Sequence, residues 1–207
     1  NCSPYLGFQY YNVQNTLDKY DNVEAVTATD DEVVDLLAEQ NIIAVFGGGS
    51  ESGRRALGNR SILADPRSPN MKDLINEKVK HRQWFRPFAP SILKEEVKNW
   101  FVVDKDSPYM SFVLKFQDDA KDKVPAVVHF DGTARLQTVT QNDNGWYYNF
   151  IKKWHAKSGV PIVLNTSFND REPICETAEH ALNCFLRTNI DYLYFYDEQL
   201  LVKKKDL

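Results

Sequence analysis

Several familiar features are missing from this 207-residue chain, and each absence narrows its function. No apolar run approaches the ~20 residues that a membrane-spanning helix needs, and no secretory leader is visible, so the reading is a cytoplasmic chain with no membrane contact. Cysteine is scarce and odd in number. Cys2, Cys175 and Cys184 show no metal-ligand spacing, which suits a reducing compartment better than a disulfide framework. The four histidines are scattered and form no metal motif, so no tightly bound metal is expected. There is no excess of positive charge. Twenty-five Lys and Arg against 29 Asp and Glu give a formal net charge of -4 and no broad basic stripe, which argues against nucleic acid as partner. The glycines from Gly47 to Gly53 follow a strand-like run, as in a phosphate cradle. They lack the lysine and spacing of a Walker A loop, which excludes a P-loop NTPase. No internal repeat, low-complexity tract or second domain is apparent.

What remains is an ordinary soluble composition, 43% hydrophobic and 26% charged, in a chain long enough for one sizeable core. The element order is mixed α/β. Residues 1–28 read as an arm or linker and 29–207 as the domain. Thr29-Asp30-Asp31-Glu32 is a helix start, with acids at the positive helix end. Strands are expected at 41–46, 109–116 and 160–164, and a terminal hairpin from 192–196 and 200–203. Helices are expected at 70–79, 94–100, 145–157 and 177–188. Tyr147, Phe150, Ile151 and Trp154 form an inward stripe better suited to core than to a cofactor. Ala181, Leu182 and Phe185 face inward on the last helix. The Lys203-Lys204-Lys205 run reads as a solvated tail.

The densest chemical signal runs from Gly53 to Arg67. Arg54, Arg55, Arg60 and Arg67 fall within fourteen residues of a mildly acidic chain. Arginine is permanently charged, and its planar fork matches phosphate or carboxylate. The cluster therefore suggests a local anion site, although ion pairing to the chain's own acids would explain it equally well. Three further blocks favour the anion site. Lys80-His81-Arg82-Gln83-Trp84-Phe85-Arg86-Pro87-Phe88-Ala89-Pro90 sets cations at 80, 82 and 86 among aromatics that could wall a pocket, though such aromatics are more often core. Its prolines rule out a long helix. Asn165-Thr166-Ser167-Phe168-Asn169 follows Val160–Leu164 and reads as a polar loop at a strand's carboxyl end, where open sheets place ligands. In His129–Val139, Asp131-Gly132 suggests a tight turn fed by Val124–Val128. A hairpin there would carry Arg135 and Gln137 on one face and Thr138 on the other. His129 could act as a base, but a single histidine beside a turn is more often a surface or satisfied residue.

Taken in order, these blocks resemble the C-terminal domain of the NodU/CmcH family of O-carbamoyltransferases. The matching stretches are Glu51–Ser61, Phe85–Pro90, His129–Arg135 with Gln137–Val139, Leu164–Asn169 with Glu172-Pro173-Ile174, and Asp191. The resemblance implies a YrdC/Sua5-like α/β fold, an open twisted mixed sheet with flanking helices and a cationic concave face. It implies a parent enzyme whose N-terminal half is Kae1-like, with an actin-like ATPase fold, and holds a metal and the acceptor. Pro4–Phe8 resembles the segment that closes that half, so the chain reads as a fragment of a longer protein. The YrdC-like half would take carbamoyl phosphate and ATP, with Mg²⁺ arriving on the ATP, and form carbamoyl-adenylate and pyrophosphate for transfer to a hydroxyl.

On that basis Arg55, Arg60, Lys80 and Arg86 are the expected catalytic cations. Arg82, Arg135, Gln137, Thr138, Asn165, Thr166, Ser167 and Asn169 are the expected substrate and ATP contacts. Arg60→Ala is expected to abolish activity while leaving the fold intact. The chain departs from the family pattern at Gly49, where an arginine is usual, at Arg54, where a proline is usual, and at Asp170-Arg171, where a glycine is common. Arg54 and Arg171 could restore charge from another position. Two other readings stay open: a non-catalytic nucleotide- or RNA-binding module, and a domain that serves only to dock on its partner. The acceptor and the oligomeric state, a homodimer included, are open as well.

Overall fold

A computed structural model describes residues 3–205 of the chain. Nine strands form one mixed sheet: β1 Val23–Thr27, β2 Ile43–Phe46, β3 Arg60–Ala64, β4 Ala89–Leu93, β5 Phe112–Lys115, β6 Thr133–Val139, β7 Ile162–Ser167, β8 Tyr192–Phe195 and β9 Leu200–Lys204. Their spatial order is β1-β9-β8-β2-β3-β7-β4-β6-β5. The β2/β8 and β4/β6 pairs are parallel and the rest antiparallel. The central strands β2 and β3 are buried at every position, as strands covered on both faces must be. The expected mixed α/β sheet with flanking helices is therefore present.

Helices α1 Val13–Leu17, α2 Asp30–Ala38, α3 Met71–Ile75, α4 Val97–Trp100, α5 Gly145–Ser158 and α6 Ala178–Arg187 surround it. Helix α2 starts where the sequence signals it. The Thr29 side chain accepts from the Glu32 backbone N–H, and Glu32 reaches back to the Thr29 N–H at 2.7 Å, a complete capping box. Helix α5 packs against α2 on one side and against β4 and β7 on the other. Its Tyr147, Phe150, Ile151 and Trp154 are the expected core stripe. Trp154 is fully buried, with its indole N–H donating to the Ile162 carbonyl at 2.7 Å. Burying a side chain of this size contributes about 2–3 kcal/mol. Helix α6 covers β2 and β8 through Ala181, Leu182 and Phe185. No helix among the described residues is long and apolar enough to cross a membrane.

Four expectations change. The segment read as an arm supplies α1 and edge strand β1, which pairs with β9 from Val23↔Lys204 to Thr27↔Leu200. The lysine run is not a tail. Lys203 and Lys204 lie in β9, Lys203 ion-pairs with Glu24 and Lys204 Nζ donates to the Thr188 carbonyl. The helix expected over 70–79 is regular only to Ile75 and then widens into a π-turn over Asn76–Lys80, ended by His81 at φ +47. The segment before Asp131-Gly132 is a 3₁₀ turn at Pro125–Val127, opened by a proline that cannot donate to a strand ladder. Strand β6 pairs instead with β5 and β4. Cys175 and Cys184 are buried free thiols, and Cys2 lies outside the described residues.

Candidate functional site

The pairing directions bring five strand termini to one end of the sheet. Phe46 faces Arg60, Ser61 faces Ser167, and Ala89 faces Asn165. The carboxyl ends of β2 and β7 therefore lie beside the amino ends of β3 and β4, and parallel β6 begins at the same end. A cavity of about 390 Å³ opens there, walled by Arg54, Arg55, Arg82, Arg135, His129 and the Asn165-Thr166-Ser167 segment. Pro87, Phe88, Ala89 and Met110 supply its apolar surface.

The cavity's charge is not neutralised by the chain's own acids. None of Arg54, Arg55, Arg82 and Arg135 forms an ion pair among the described residues. Partial burial lowers the Arg55 pKa, and the neighbouring charges of Arg135 and Arg54 lower it further. Burial and then Arg86 do the same for Arg82. Unpaired arginines held close enough to repel one another are a set of donors arranged for an anion. Arg82 is fixed in place: its Nε donates to Asn76 Oδ1 at 2.8 Å, and its guanidinium lies 4.8 Å from the Phe88 ring centre. Buried Asn76 also donates to the Trp84 and Arg86 carbonyls, so one side chain in the π-turn shapes the whole 82–86 loop.

The other expected cations hold the scaffold. Arg60 is fully buried and does not line the cavity. Its guanidinium donates to the carbonyls of Gly47 at 2.5 Å, Asn59 at 2.9 Å, and Gly48 and Phe8 at 3.3 Å, and stacks 3.6 Å from the Phe46 ring centre. Arg67 is bound to Asp65 at 2.8 Å, with a second contact to the Ser158 carbonyl. Lys80 is also buried. Its Nζ donates to the Ser167 and Asn169 carbonyls at 2.6 and 2.7 Å and to Asn169 Oδ1 at 2.9 Å, while burial and Arg82 push its pKa down to about 8. Lys80 thus pins the β7 terminus rather than facing the cavity. Arg86 is exposed outside the cavity lining, although close enough to depress Arg82.

The polar residues divide in the same way. Asn165, Thr166 and Ser167 line the cavity, but as the last residues of β7 rather than as a loop. Gln137 is buried beneath it. Its Oε1 accepts from Ser91 Oγ at 2.7 Å and Asn165 Nδ2 at 3.1 Å, while its Nε2 donates to the Leu57 carbonyl at 2.9 Å. Asn165 Nδ2 donates in addition to the Ala56 carbonyl, so this network carries the loop bearing Arg54 and Arg55. Thr138 Oγ1 is occupied by the Ser107 N–H. Asn169 is bonded to Ser167, Lys80 and the Glu172 carbonyl. Of the aromatics read as more often core, Phe88 is buried, whereas Trp84 and Phe85 are 69% and 59% exposed and stack edge-on beside the cavity loop.

Three contributors lay outside the sequence reading: Asn76, Met110, and the Glu51 carboxylate. Glu51 Oε1 accepts from the N–H groups of Leu57, Asn59 and Arg60 and so folds the arginine loop onto itself. Only Glu51 had a signal in the sequence, as the first residue of the family-like stretch Glu51–Ser61.

A family model described as Carbamoyltransferase C-terminus matches residues 34–204. The chain is 45% identical over 172 residues to an uncharacterized protein of Methanocaldococcus jannaschii, covering 83% of this chain and 28% of that one. It is 44% identical over 173 residues to the nodulation protein NolNO of Sinorhizobium fredii, covering 82% and 25%. It is also 44% identical over 163 residues to the nodulation protein NolO of Bradyrhizobium diazoefficiens, covering 77% and 30%. The chain thus spans about a quarter to a third of the length of these curated relatives. Among solved structures it is similar to full-length HypF in its phosphate- and nucleotide-bound form, with a TM-score of 0.53 and 20% identity over 75% of this chain and 23% of that one. HypF of T. kodakarensis gives a TM-score of 0.53 and 18% identity over 90% and 23%. At those identities the likeness is one of fold.

Proposed function

The chain belongs to the carbamoyltransferase C-terminal family, and from that premise we propose that it is the carbamoyl-activating unit of an ATP-dependent O-carbamoyltransferase. One observation carries this reading: four arginines that form no ion pair among the described residues converge on one cavity of about 390 Å³ at the sheet end. The reaction handles phosphate charge throughout. Carbamoyl phosphate and water give carbamate and inorganic phosphate. A carbamate oxygen then attacks the α-phosphorus of ATP, the α–β bond breaks and pyrophosphate leaves. Negative charge grows on the phosphoryl oxygens, and donors fixed in advance stabilise it without reorganising.

In this reading Arg55, Arg135 and Arg82 hold phosphates, with Arg54 at the rim. Ser167 and Thr166 offer hydroxyls, and Asn165 couples the cavity floor to the arginine loop. Mg²⁺ comes with ATP as part of the substrate. No protein nucleophile is required, because the carbamate oxygen is the attacking group. Support from the fold is that HypF, which shares it, is described in a phosphate- and nucleotide-bound form. The acceptor hydroxyl would bind outside this chain, in a Kae1-like partner domain.

The test is pyrophosphate release by the purified chain with ATP, Mg²⁺ and carbamoyl phosphate, each omitted in turn. Release that needs all three is the expected result. Release indifferent to carbamoyl phosphate, or absent ATP binding in a folded sample, overturns the reading.

A further inference from the structure

The cavity wall is rich in donors. Arginine donates and never accepts, and Arg54, Arg55, Arg82 and Arg135 all lie on it. Phosphate suits such a wall. The –NH₂ end of a carbamoyl group does not, because it brings two donors of its own and needs an acceptor.

His129 lines the same cavity. Its ring is oriented by a short relay. The Asp131 carboxylate is held below the usual range by the Thr133 hydroxyl and backbone N–H, so it is ionised and only accepts at neutral pH. The Thr133 hydroxyl donates to Asp131 Oδ1 at 2.7 Å, which commits its hydrogen. Thr133 Oγ1 therefore meets His129 Nδ1, 3.2 Å away, as an acceptor. This network assigns the neutral ring's proton to Nδ1 and leaves the lone pair on Nε2. The turn is locked by the His129 N–H to the Thr133 carbonyl at 2.8 Å and the Gly132 N–H to the His129 carbonyl at 2.9 Å. The one hydrogen bond of the ring among the described residues is at Nδ1, which leaves Nε2 open; the other open acceptor on a residue of the cavity wall is Asn165 Oδ1, which is buried at the cavity floor and likewise has no partner.

The charged groups acting on the ring are Asp131 from its own turn and Arg135 from β6, while Arg54, Arg55 and Arg82 line the same cavity. Burial lowers the imidazole pKa, Asp131 opposes that, and Arg135 adds to it, so the ring is neutral at pH 7.

We propose that His129 Nε2 is the acceptor that recognises the carbamoyl –NH₂, so that the cavity distinguishes carbamoyl phosphate from acyl phosphates of the same shape and charge. This rests on the reading that the cavity holds carbamoyl phosphate. Acetyl phosphate is the informative competitor. It presents a methyl where the amine would be and leaves Nε2 desolvated without a partner.

The pH dependence has a definite sign. Protonating Nε2 turns it into a donor and removes the carbamoyl contact, while the added charge attracts every phosphate alike. The preference for carbamoyl over acetyl phosphate therefore rises with pH through the His129 titration. A plain anion site would show no such change in preference.

The experiment is calorimetric titration of the chain with fresh carbamoyl phosphate and with acetyl phosphate, at about pH 4.5 and about pH 8, the lower value set well under the usual histidine range because burial and Arg135 lower the His129 titration. Wild type, His129→Gln and His129→Phe are compared, with melting curves to confirm that each variant is folded. In the wild type a preference of about fivefold is expected at the higher pH, the worth of one hydrogen bond, falling toward unity at the lower. His129→Gln, which keeps an acceptor but cannot titrate, should retain part of the preference at both values. His129→Phe should lose it at both. Equal binding of the two ligands by wild type at both pH values, or an undiminished preference in His129→Phe, overturns the assignment alone. Failure of the wild type to bind either ligand overturns it together with the carbamoyl-activation reading.

Discussion

Arg60 gives the sharpest test of how this site is built. In sequence it is one of four similar arginines. In the structure its guanidinium has no exposed surface and donates to the carbonyls of Gly47, Gly48, Asn59 and Phe8. Truncation to alanine leaves the carbonyls of Gly47 and Asn59, at 2.5 and 2.9 Å, without their charged donor. Bonds to charged groups contribute about 1.5–3 kcal/mol each, so these two alone come to roughly 3–6 kcal/mol, and the cavity left above Phe46 adds to that. The loss is a large part of a typical 5–15 kcal/mol stability. At about 2–4 °C per kcal/mol for a domain of this size, the melting temperature of Arg60→Ala should fall by about 10 °C or more. Arg60→Lys, which keeps the charge but not the fork, should fall between that variant and wild type. Thermal and urea unfolding would measure both. Arg60→Ala that melts within about 2 °C of wild type yet no longer binds ATP would refute this account and return Arg60 to the ligand site.

Three further outcomes follow from the same geometry. Arg55→Ala and Arg135→Ala should melt like wild type, because neither residue is buried or ion-paired, but each should weaken binding of ATP or inorganic phosphate by about tenfold in calorimetry, the worth of one charge-assisted contact; unchanged affinity in both would empty the proposed anion site. Lys80, held near 8 in the fold against an ordinary 10.5, makes the unfolded chain bind more protons between those values, so stability should rise over that interval by on the order of 2–3 kcal/mol in wild type and not in Lys80→Met; parallel urea midpoints for the two proteins would remove Lys80 as the cause. Gln137→Leu should cost about 2–3 kcal/mol, since it strips Asn165 Nδ2, Ser91 Oγ and the Leu57 carbonyl of a buried partner, and amide exchange should speed up in residues 54–57; unchanged exchange would mean that the network does not carry the arginine loop.

The sequence discloses the fold wherever a local rule coincides with tertiary need. The Thr29–Glu32 box opens α2, the aromatic spacing defines the buried face of α5, and the terminal hairpin turns at 197–198 as read. It misleads where the deciding contact is remote. Strand β1 has little hydrophobic alternation of its own, and four of its five residues are exposed, so only its ladder with β9 makes it a strand. The Val124–Val128 run looks like a strand, yet its proline starts a turn and β6 takes its partners from β4 and β5. The polar letters of Asn165–Ser167 suggest a loop, but β3 on one side and β4 on the other continue the ladder through them.

The site teaches the same lesson in terms of charge. The blocks containing Arg54, Arg55, Arg82 and Arg135 are visible in the sequence, and the fold does bring them to one cavity. What the letters cannot reveal is which cations are already satisfied. Arg60 and Lys80 sit in the same blocks, yet backbone carbonyls take up their donors, and Arg67 has Asp65. That division is physically required. Four unpaired arginines around one cavity repel one another, and a loop carrying two of them would swing outward unless something held it. Glu51 gathers its backbone N–H groups, Gln137 and Asn165 hold its carbonyls, and Arg60 clamps the glycine turn beside it. The buried cation and the buried carboxylate thus spend their charge on the backbone, which leaves the exposed arginines free to bind an anion that the protein does not itself supply.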